Sequence, residues 1–471
     1  MSSEQRSSAA GTADPGRARV AGSSQRSQKD MADEPARSRV DELQERATKL
    51  LSVIRRQARR PFVVELAGTP KAGKTTVISM LENFFDRCGY KVRVIREQAP
   101  ACPLPMKGHF FFNTWTTTSM LGELLEVIDT DDDLVILDRG LFDALVWLDL
   151  QRTRDQITDA ERSVFESFVG LERWRKLIDA VVILRVSPDV AMDRENRGHL
   201  VVREGSMMNH PNLAKFNERL DATVRKNVDM FPVHCIDADA AGDAKAVTAD
   251  VVAHLLDAMS TTVDPTIACF PRDRVVEAFA NGDFVPWDDA TWESLCKDVR
   301  TTKRSHVEES DDFVQLVACG IATHGDRVLV FDRGAREPRT RPYDGGTIWQ
   351  GQHVEHAADG VLTLRSVRES LARRFLHDLH LAVPIGAEGT PLGLVWDPGV
   401  GDGRHLGIAI PVEIENATTA EHLRAKKFRT RGRRPAQQSK FVAGSDLRAD
   451  PDSYDLEPWS RAILRSGWPR T

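Results

Sequence analysis

The chain lacks any run of eighteen or more apolar residues, which argues against a membrane-spanning helix and a membrane partner. Its six cysteines (Cys88, Cys102, Cys235, Cys269, Cys296, Cys319) are scattered, with no CxxC pair. Neither a disulfide framework nor a zinc site follows, and reduced thiols in a cytoplasmic protein are expected. There is no strong charge of one sign: a net charge of −6 over 471 residues argues against a dedicated nucleic-acid coat or membrane-surface protein. The N-terminus lacks the apolar segment of a secretory signal. It is rich in Ser and Arg like an organelle transit peptide, but Asp14, Asp30, Asp33 and Glu34 speak against that, so residues 1–38 are expected as a disordered leader. No internal repeat is visible. What is there is ordinary globular composition, 41% hydrophobic and 28% charged, in a chain long enough for two or three domains.

From Val40 to Arg60 apolar residues recur at helical spacing (Leu43, Ala47, Leu50, Leu51, Ile54, Ala58), and the arginines of the last turn suit a helix C-terminus. Short apolar runs then alternate with helical stretches. Strands are expected at 61–67, 91–95, 134–137, 181–186 and 234–237, with a long charged helical stretch at 158–178 and a closing helix from Ala244 to Met259. Buried strands alternating with helices imply a parallel sheet covered on both faces, an α/β domain over 39–260. Residues 261–310 read as a connecting helical region. Beyond it, strands at 313–322, 327–332 and 406–414 and a helix near 362–380 indicate a smaller α+β domain over 311–471.

Gly68-Thr69-Pro70-Lys71-Ala72-Gly73-Lys74-Thr75, followed by Thr76, fits GxxxxGK[ST] between a buried strand and a helix. Gly68 and Gly73 permit backbone angles that wrap phosphates, and the exposed N–H groups with the helix N-terminus hold negative charge. Lys74 would reach the β- and γ-phosphates, and the Thr75 hydroxyl would ligate Mg²⁺. Strand 134–137 ends in Asp138-Arg139-Gly140. An aspartate there can hold Mg²⁺ or its water shell, or merely cap the next helix. Arg139 can clamp a second phosphoryl group bidentately.

At this point the chain resembles the thymidylate kinase branch of P-loop nucleoside and nucleotide kinases, over about 61–260. The features stand in that family's order: Phe62 to Thr76, then Gly89-Tyr90-Lys91-Val92 with Arg96-Glu97, then Asp138-Arg139-Gly140, then Ile183 to Pro188 with Ala191 and Arg194. The resemblance implies that Lys74 and Thr75 hold ATP·Mg²⁺. It implies that Arg96, Glu97, Asp138 and Arg139 face the acceptor and metal, and that Arg194, Arg197 and Arg203 are lid charges over the transferring group. For Arg203 a solvated basic helix end is an equal reading. Two departures concern the acceptor. Gln98-Ala99-Pro100 follows Glu97 where the family has Pro-Gly, and Gly108 to Trp115 is unlike its base-binding segment. Phe110, Phe111 and Phe112 either stack on a base or sugar or lie in the core, with at least two expected in the core. Asp143 and Trp147 are further pocket candidates, helix packing being the equal alternative.

Residues 311–471 resemble the Nudix fold through Phe313 to Ala318, Val328 to Arg333, Thr347 to Val354, and Leu456-Glu457-Pro458-Trp459-Ser460. Ser366 to Arg374 stands at the Nudix helix, whose pattern is RExxEE. Arg368 and Glu369 match, but the two later acids are Ala372 and Arg373. Such helices hold Mg²⁺ against a diphosphate through several carboxylates on one face. A ligand-sensing or assembly role is therefore expected here. The run Arg424 to Lys440, with eight Lys/Arg and no acid, is expected to be a solvated loop rather than a phosphate or nucleic-acid site. The whole reads as an ATP-dependent nucleoside or nucleoside-monophosphate kinase using Mg²⁺, with a homodimer entertained. A switch or sensor NTPase is the alternative, its GTP form weakened by the lack of an Asn-Lys-x-Asp motif. A nucleic-acid end kinase would lean on 424–440 alone.

Overall fold

A computed structural model describes residues 28–58, 60–105, 108–127, 130–197, 207–240, 243–332, 346–355, 361–379, 381, 389–399, 401–425 and 438–469. Residues 1–27 of the expected leader, Arg203 and residues 426–437 of the basic run lie outside these. Among the described residues no helix is long and apolar enough to cross a membrane.

The first unit begins with α1 (Gln28–Gln57), so helix starts inside the stretch expected as leader. It continues with β1 (Phe62–Gly68), α2 (Lys74–Arg87), β2 (Val92–Ile95), α3 (Phe110–Val127), β3 (Leu134–Asp138) and α4 (Leu141–Thr153). The charged stretch near 158–178 is two helices, α5 (Asp159–Val169) and α6 (Glu172–Arg175). Then come β4 (Ala180–Arg185), α7 (Pro188–Arg197), α8 (His210–Asn227), β5 (Val233–Asp237) and α9 (Ala244–Val263). The five strands form a parallel sheet in the order β2-β3-β1-β4-β5. This is a P-loop kinase-like α/β fold, with the glycine loop leaving the central strand.

The sheet is buried on both sides because its strands are apolar at successive positions. Val64, Leu66, Ile136, Val182 and Leu184 enter one core, while Val63, Ala67, Val135, Leu137, Val181 and Ile183 enter the other. Helix α9 starts at Asp243, whose side chain accepts from Ala246 N at 2.8 Å, and lays Val251, Leu255 and Met259 on the first core. Leu43, Ala47, Leu51 and Ile54 of α1 join the same core, with Arg39–Asp250 and Arg46–Asp257 pairs at the α1–α9 edge. α5 opens with a capping box between Thr158 and Glu161.

The second unit starts earlier than the sequence pattern suggests. The stretch 261–310 carries β6 (Thr266–Pro271), α10 (Arg272–Ala278), β7 (Phe284–Pro286), α11 (Asp289–Cys296), β8 (Arg300–Lys303) and α12 (Arg304–Glu309). Its three strands join the second sheet, where β6 pairs with β8 and β9 and β7 pairs with β13. They were not legible because each is short and β7 and β8 have no buried face. The unit continues through β9 (Phe313–His324), β10 (Arg327–Asp332), β11 (Gly346–Thr347), β12 (Gln350–His353), α13 (Leu364–Leu379), β13 (Gly393–Val395) and β14 (His405–Glu413). It closes with α14 (Ala417–Ala425), β15 (Gln438–Ala443), α15 (Gly444–Ala449) and α16 (Pro458–Arg465). Helix α13 packs Val367, Leu371 and Phe375 onto the β9 face that carries Val314, Leu316 and Ala318. On the other face Trp349 and Trp459 lie 5.5 Å apart, and Glu457 caps α16 by accepting from Trp459 N and Ser460 N while also taking the Trp349 indole N–H at 2.8 Å.

Candidate active site

β1 runs out at Gly68, whose φ of +125° suits glycine. A Cβ there would drive into the Leu184 carbonyl of β4, so the loop can leave the sheet only over a bare backbone. Thr69 N donates to that same carbonyl at 3.0 Å. Gly73 (φ +98°) is the N-cap of α2 with no side-chain cap, and first-turn N–H groups of this kind can hold an anion. Pro70 is half-buried, Ala72 buried, and Thr75 and Thr76 are exposed at the first turn of the helix. Lys71 takes a left-handed φ of +61° and pairs with Glu195 of α7 at 2.7 Å.

Lys74 folds back over the loop and donates to the Gly68 and Thr69 carbonyls at 3.1 and 3.0 Å. Burial, then the neighbouring Arg139, lowers its pKa to about 7, against Asp143, Asp138 and Glu97, which favour its charge. These five groups therefore share one electrostatic neighbourhood. Asp138, at the end of β3, is buried, and burial followed by Glu97 raises its carboxyl pKa. Arg139 has φ +63° and reaches two carboxylates: Glu97 at 3.0 Å through Nε, and both oxygens of Asp143 through Nη1, at 3.0 and 2.8 Å. Burial disfavours its charge, but Asp143 and Glu97 outweigh that and hold it ionised. Asp143 also accepts from the Trp147 indole at 2.9 Å, and the guanidinium lies 5.9 Å from that ring's centre.

Lys74, Glu97, Asp138, Arg139 and Asp143 are thus brought together. Arg96 is not: its side chain is 57% exposed and points to Glu82 of α2, at 3.5 Å. Arg194 is turned onto the loop, donating to Ala72 O at 2.9 Å and Lys71 O at 3.4 Å, and it also donates to Ala238 O at 3.3 Å, so here it ties the loop backbone to the end of β5. Arg197 is exposed and pairs with Asp193 on its own helix. Phe111 is 63% exposed and Phe110 and Phe112 are half-buried, so none of the three is fully in the core.

Three residues that sequence reasoning missed belong to the frame. Asn217 of α8 accepts from Thr69 Oγ1 at 2.7 Å and donates to Val186 O at 2.8 Å, tying the loop to the strand-to-α7 turn. Glu195 is the partner of Lys71. Glu65, in the middle of β1, is fully buried, and its carboxylate accepts from the N–H groups of Gly140, Phe142 and Asp143 at 2.9, 3.0 and 2.8 Å. Burial raises its pKa to about 7, while those three bonds oppose the rise. A lone acid within an apolar strand was the available signal, since an unpartnered carboxylate there would be costly. A Cβ at Gly140 would lie 2.6 Å from Glu65 Oε2.

The family model that matches is that of the methylmalonyl-CoA mutase-associated GTPase MeaB, over residues 35–103, which span most of α1 through β2. No curated protein matches the chain. Among solved structures, the deoxyadenosine kinase of M. mycoides with bound dATP is 19% identical, covering 42% of this chain and all of its own, at a TM-score of 0.33. The same kinase with dCTP gives 20% identity, 42% and 99% coverage, and 0.32. A candidate Nudix hydrolase, Tm1382, is 16% identical, covering 43% of this chain and all of its own, at 0.30. At such scores nothing about activity transfers to this chain. The P-loop nucleotide-binding character rests on the loop and the sheet that carries it.

In the second unit, Glu369 of α13 pairs with Arg365 at 3.0 Å. Glu355 pairs with Arg373 at 3.2 Å, the arginine standing where the resembled helix has a carboxylate.

Proposed function

We propose that the first unit transfers a phosphoryl group from ATP to a nucleoside or nucleoside monophosphate. The observation that carries this reading is the convergence of Lys74 with the Glu97–Arg139–Asp143 cluster beside Asp138. A nucleotide-binding loop alone needs no second cationic and acidic cluster. A group-transfer site needs one to hold the acceptor against the γ-phosphoryl group.

On this reading Lys74 leaves the Gly68 and Thr69 carbonyls and takes phosphate oxygens, while the first-turn N–H groups of α2 hold the rest of the anion. Thr75 and Asp138 supply hard oxygen donors that suit Mg²⁺, which when bound offsets phosphoryl charge. Glu97 and Arg139 orient the acceptor, and Trp147 and Asp143 keep the guanidinium in place. Arg194 exchanges loop carbonyls for transferring oxygens. Its present partners are the Lys71 and Ala72 carbonyls of the loop and the Ala238 carbonyl beyond β5, and this exchange requires it to leave them. We assign the second unit a ligand-sensing role, supported by arginine and alanine standing where metal-holding carboxylates would be.

The second reading, an NTPase switch without a nucleotide acceptor, is favoured by the match of residues 35–103 to a GTPase family model. A thermal-shift series on the full chain separates the two. A ligand that binds the folded state raises the midpoint in proportion to RT ln(1 + [L]/Kd). The expected result is a shift with Mg·ATP analogue and a further shift with one class of nucleoside or monophosphate. A shift with guanosine triphosphate analogue and none with any acceptor would favour the switch.

A further inference from the structure

The chemistry of the acidic turn depends on its backbone, and the backbone of that turn is held by a side chain from another strand. β1 and β3 are parallel neighbours with Glu65 opposite Leu137 and Leu66 opposite Asp138. From there the Glu65 carboxylate reaches past the end of β3 to the first turn of α4. The N-cap of α4 is Gly140, which has no side chain to cap with. Three N–H groups that a helix start leaves unsatisfied are instead taken by one carboxylate belonging to the strand that feeds the phosphate loop.

We propose that Glu65 is a positioning residue for phosphoryl transfer: it locks the Asp138-Arg139-Gly140 turn and Asp143 in register with the phosphate loop. The inference rests on the functional reading above and deepens it. Three observations meet on this one group. The carboxylate is completely buried, so no solvent role explains it. It bonds the N–H of Asp143 directly, and Asp143 in turn holds the Arg139 guanidinium, so the position of Arg139 is set at two removes by Glu65. Arg139 itself sits at φ +63°, a conformation that costs a non-glycine residue energy and persists where surroundings impose it. Gly140 completes the device, since any side chain there would occupy the space of the carboxylate.

The Glu65 carboxylate bonds the N–H groups of Gly140, Phe142 and Asp143, none of which belongs to the phosphate loop. Its loss should leave the loop's grip on ATP intact and misplace the second half of the site. A displacement of about 1 Å in such a site costs on the order of a hundredfold in rate. The test compares the full-length wild type with Glu65→Gln, which keeps shape but presents an amide to the N–H groups, and with Gly140→Ala, which leaves the carboxylate present but crowded. Steady-state transfer is measured together with hydrogen exchange of the peptide covering 138–147. The expected result is a kcat lowered by at least about tenfold in both variants, an ATP KM within about twofold, and faster exchange confined to 138–147. Unchanged kcat, unchanged exchange at 138–147, or parallel loss of ATP affinity and turnover with exchange raised throughout the sheet would each overturn the proposal. If the wild type labels no acceptor, the functional reading falls, and the exchange comparison still decides whether Glu65 holds the turn.

Discussion

Lys74→Ala is expected to remove nucleotide-dependent activity, lowering turnover by about 10²–10³-fold, the usual cost of deleting one preorganised charge at a transferring group. The substitution should leave the fold intact. The two hydrogen bonds of Lys74 go to the buried Gly68 and Thr69 carbonyls of the loop itself and tie no other element to it. The lysine also makes a prediction about protons. Burial lowers its pKa to about 7, so above neutral pH the amine is largely uncharged before nucleotide binds. A triphosphate favours the ammonium form, so binding at pH 8 must take up a proton from solvent, whereas at pH 6 the charge is already present. Calorimetric titration with an ATP analogue in buffers of different ionisation enthalpy reads this uptake. It should be present at pH 8, shrink toward pH 6, and be absent in Lys74→Ala. Equal affinity and equal proton uptake in wild type and variant would contradict the role given to Lys74.

Arg139→Ala carries the second large effect, on both activity and stability. The guanidinium is 17% exposed and faces Asp143, which is nearly fully buried, and Glu97. Removing it leaves Asp143 with the Trp147 indole as hydrogen-bond donor and Lys74, whose own charge burial disfavours, as the remaining cation nearby. Stripping one partner from a buried ion pair costs about 3–5 kcal/mol, and the partial exposure of Arg139 points to the lower end. Activity should fall more than stability accounts for, because the same group orients the acceptor. Denaturant unfolding should show a lower midpoint with an unchanged slope, and acceptor KM should rise with ATP KM little affected. A variant as stable and as active as wild type would show the cluster to be ornamental. Arg139→Lys separates the two contributions, since lysine retains charge without the fork that meets Asp143 and Glu97 together.

The parts of this site that were legible share a property: their chemistry is written in adjacent residues. The apolar run Phe62–Ala67, the glycine spacing to Gly73 and the lysine after it define strand, loop and helix locally, and Asp138-Arg139 stands at the end of an equally apolar strand. What was not legible is held by contacts across the chain. Glu65 meets its N–H partners 75 to 78 residues away, and Asn217 meets Thr69 across 148. Nothing local distinguishes Asn217 from any polar helix residue. Arg96, Arg194 and Arg197 illustrate the converse. Their sequence positions follow the resembled family, but their present side-chain partners are Glu82 for Arg96, the loop and Ala238 carbonyls for Arg194, and Asp193 for Arg197. Charge at the right place in a sequence does not say which way a long side chain points. The exposure of Phe111 has the same origin, since three consecutive phenylalanines in a helix cannot all face one core.

The most direct test of the account is transfer itself: full-length protein with ATP labelled at the γ-phosphate, Mg²⁺ and a panel of nucleosides and nucleoside monophosphates, run beside Lys74→Ala. The account predicts label on at least one member of the panel with the wild type and none with the variant. Label released only as inorganic phosphate, at the same rate with and without every acceptor, would contradict it.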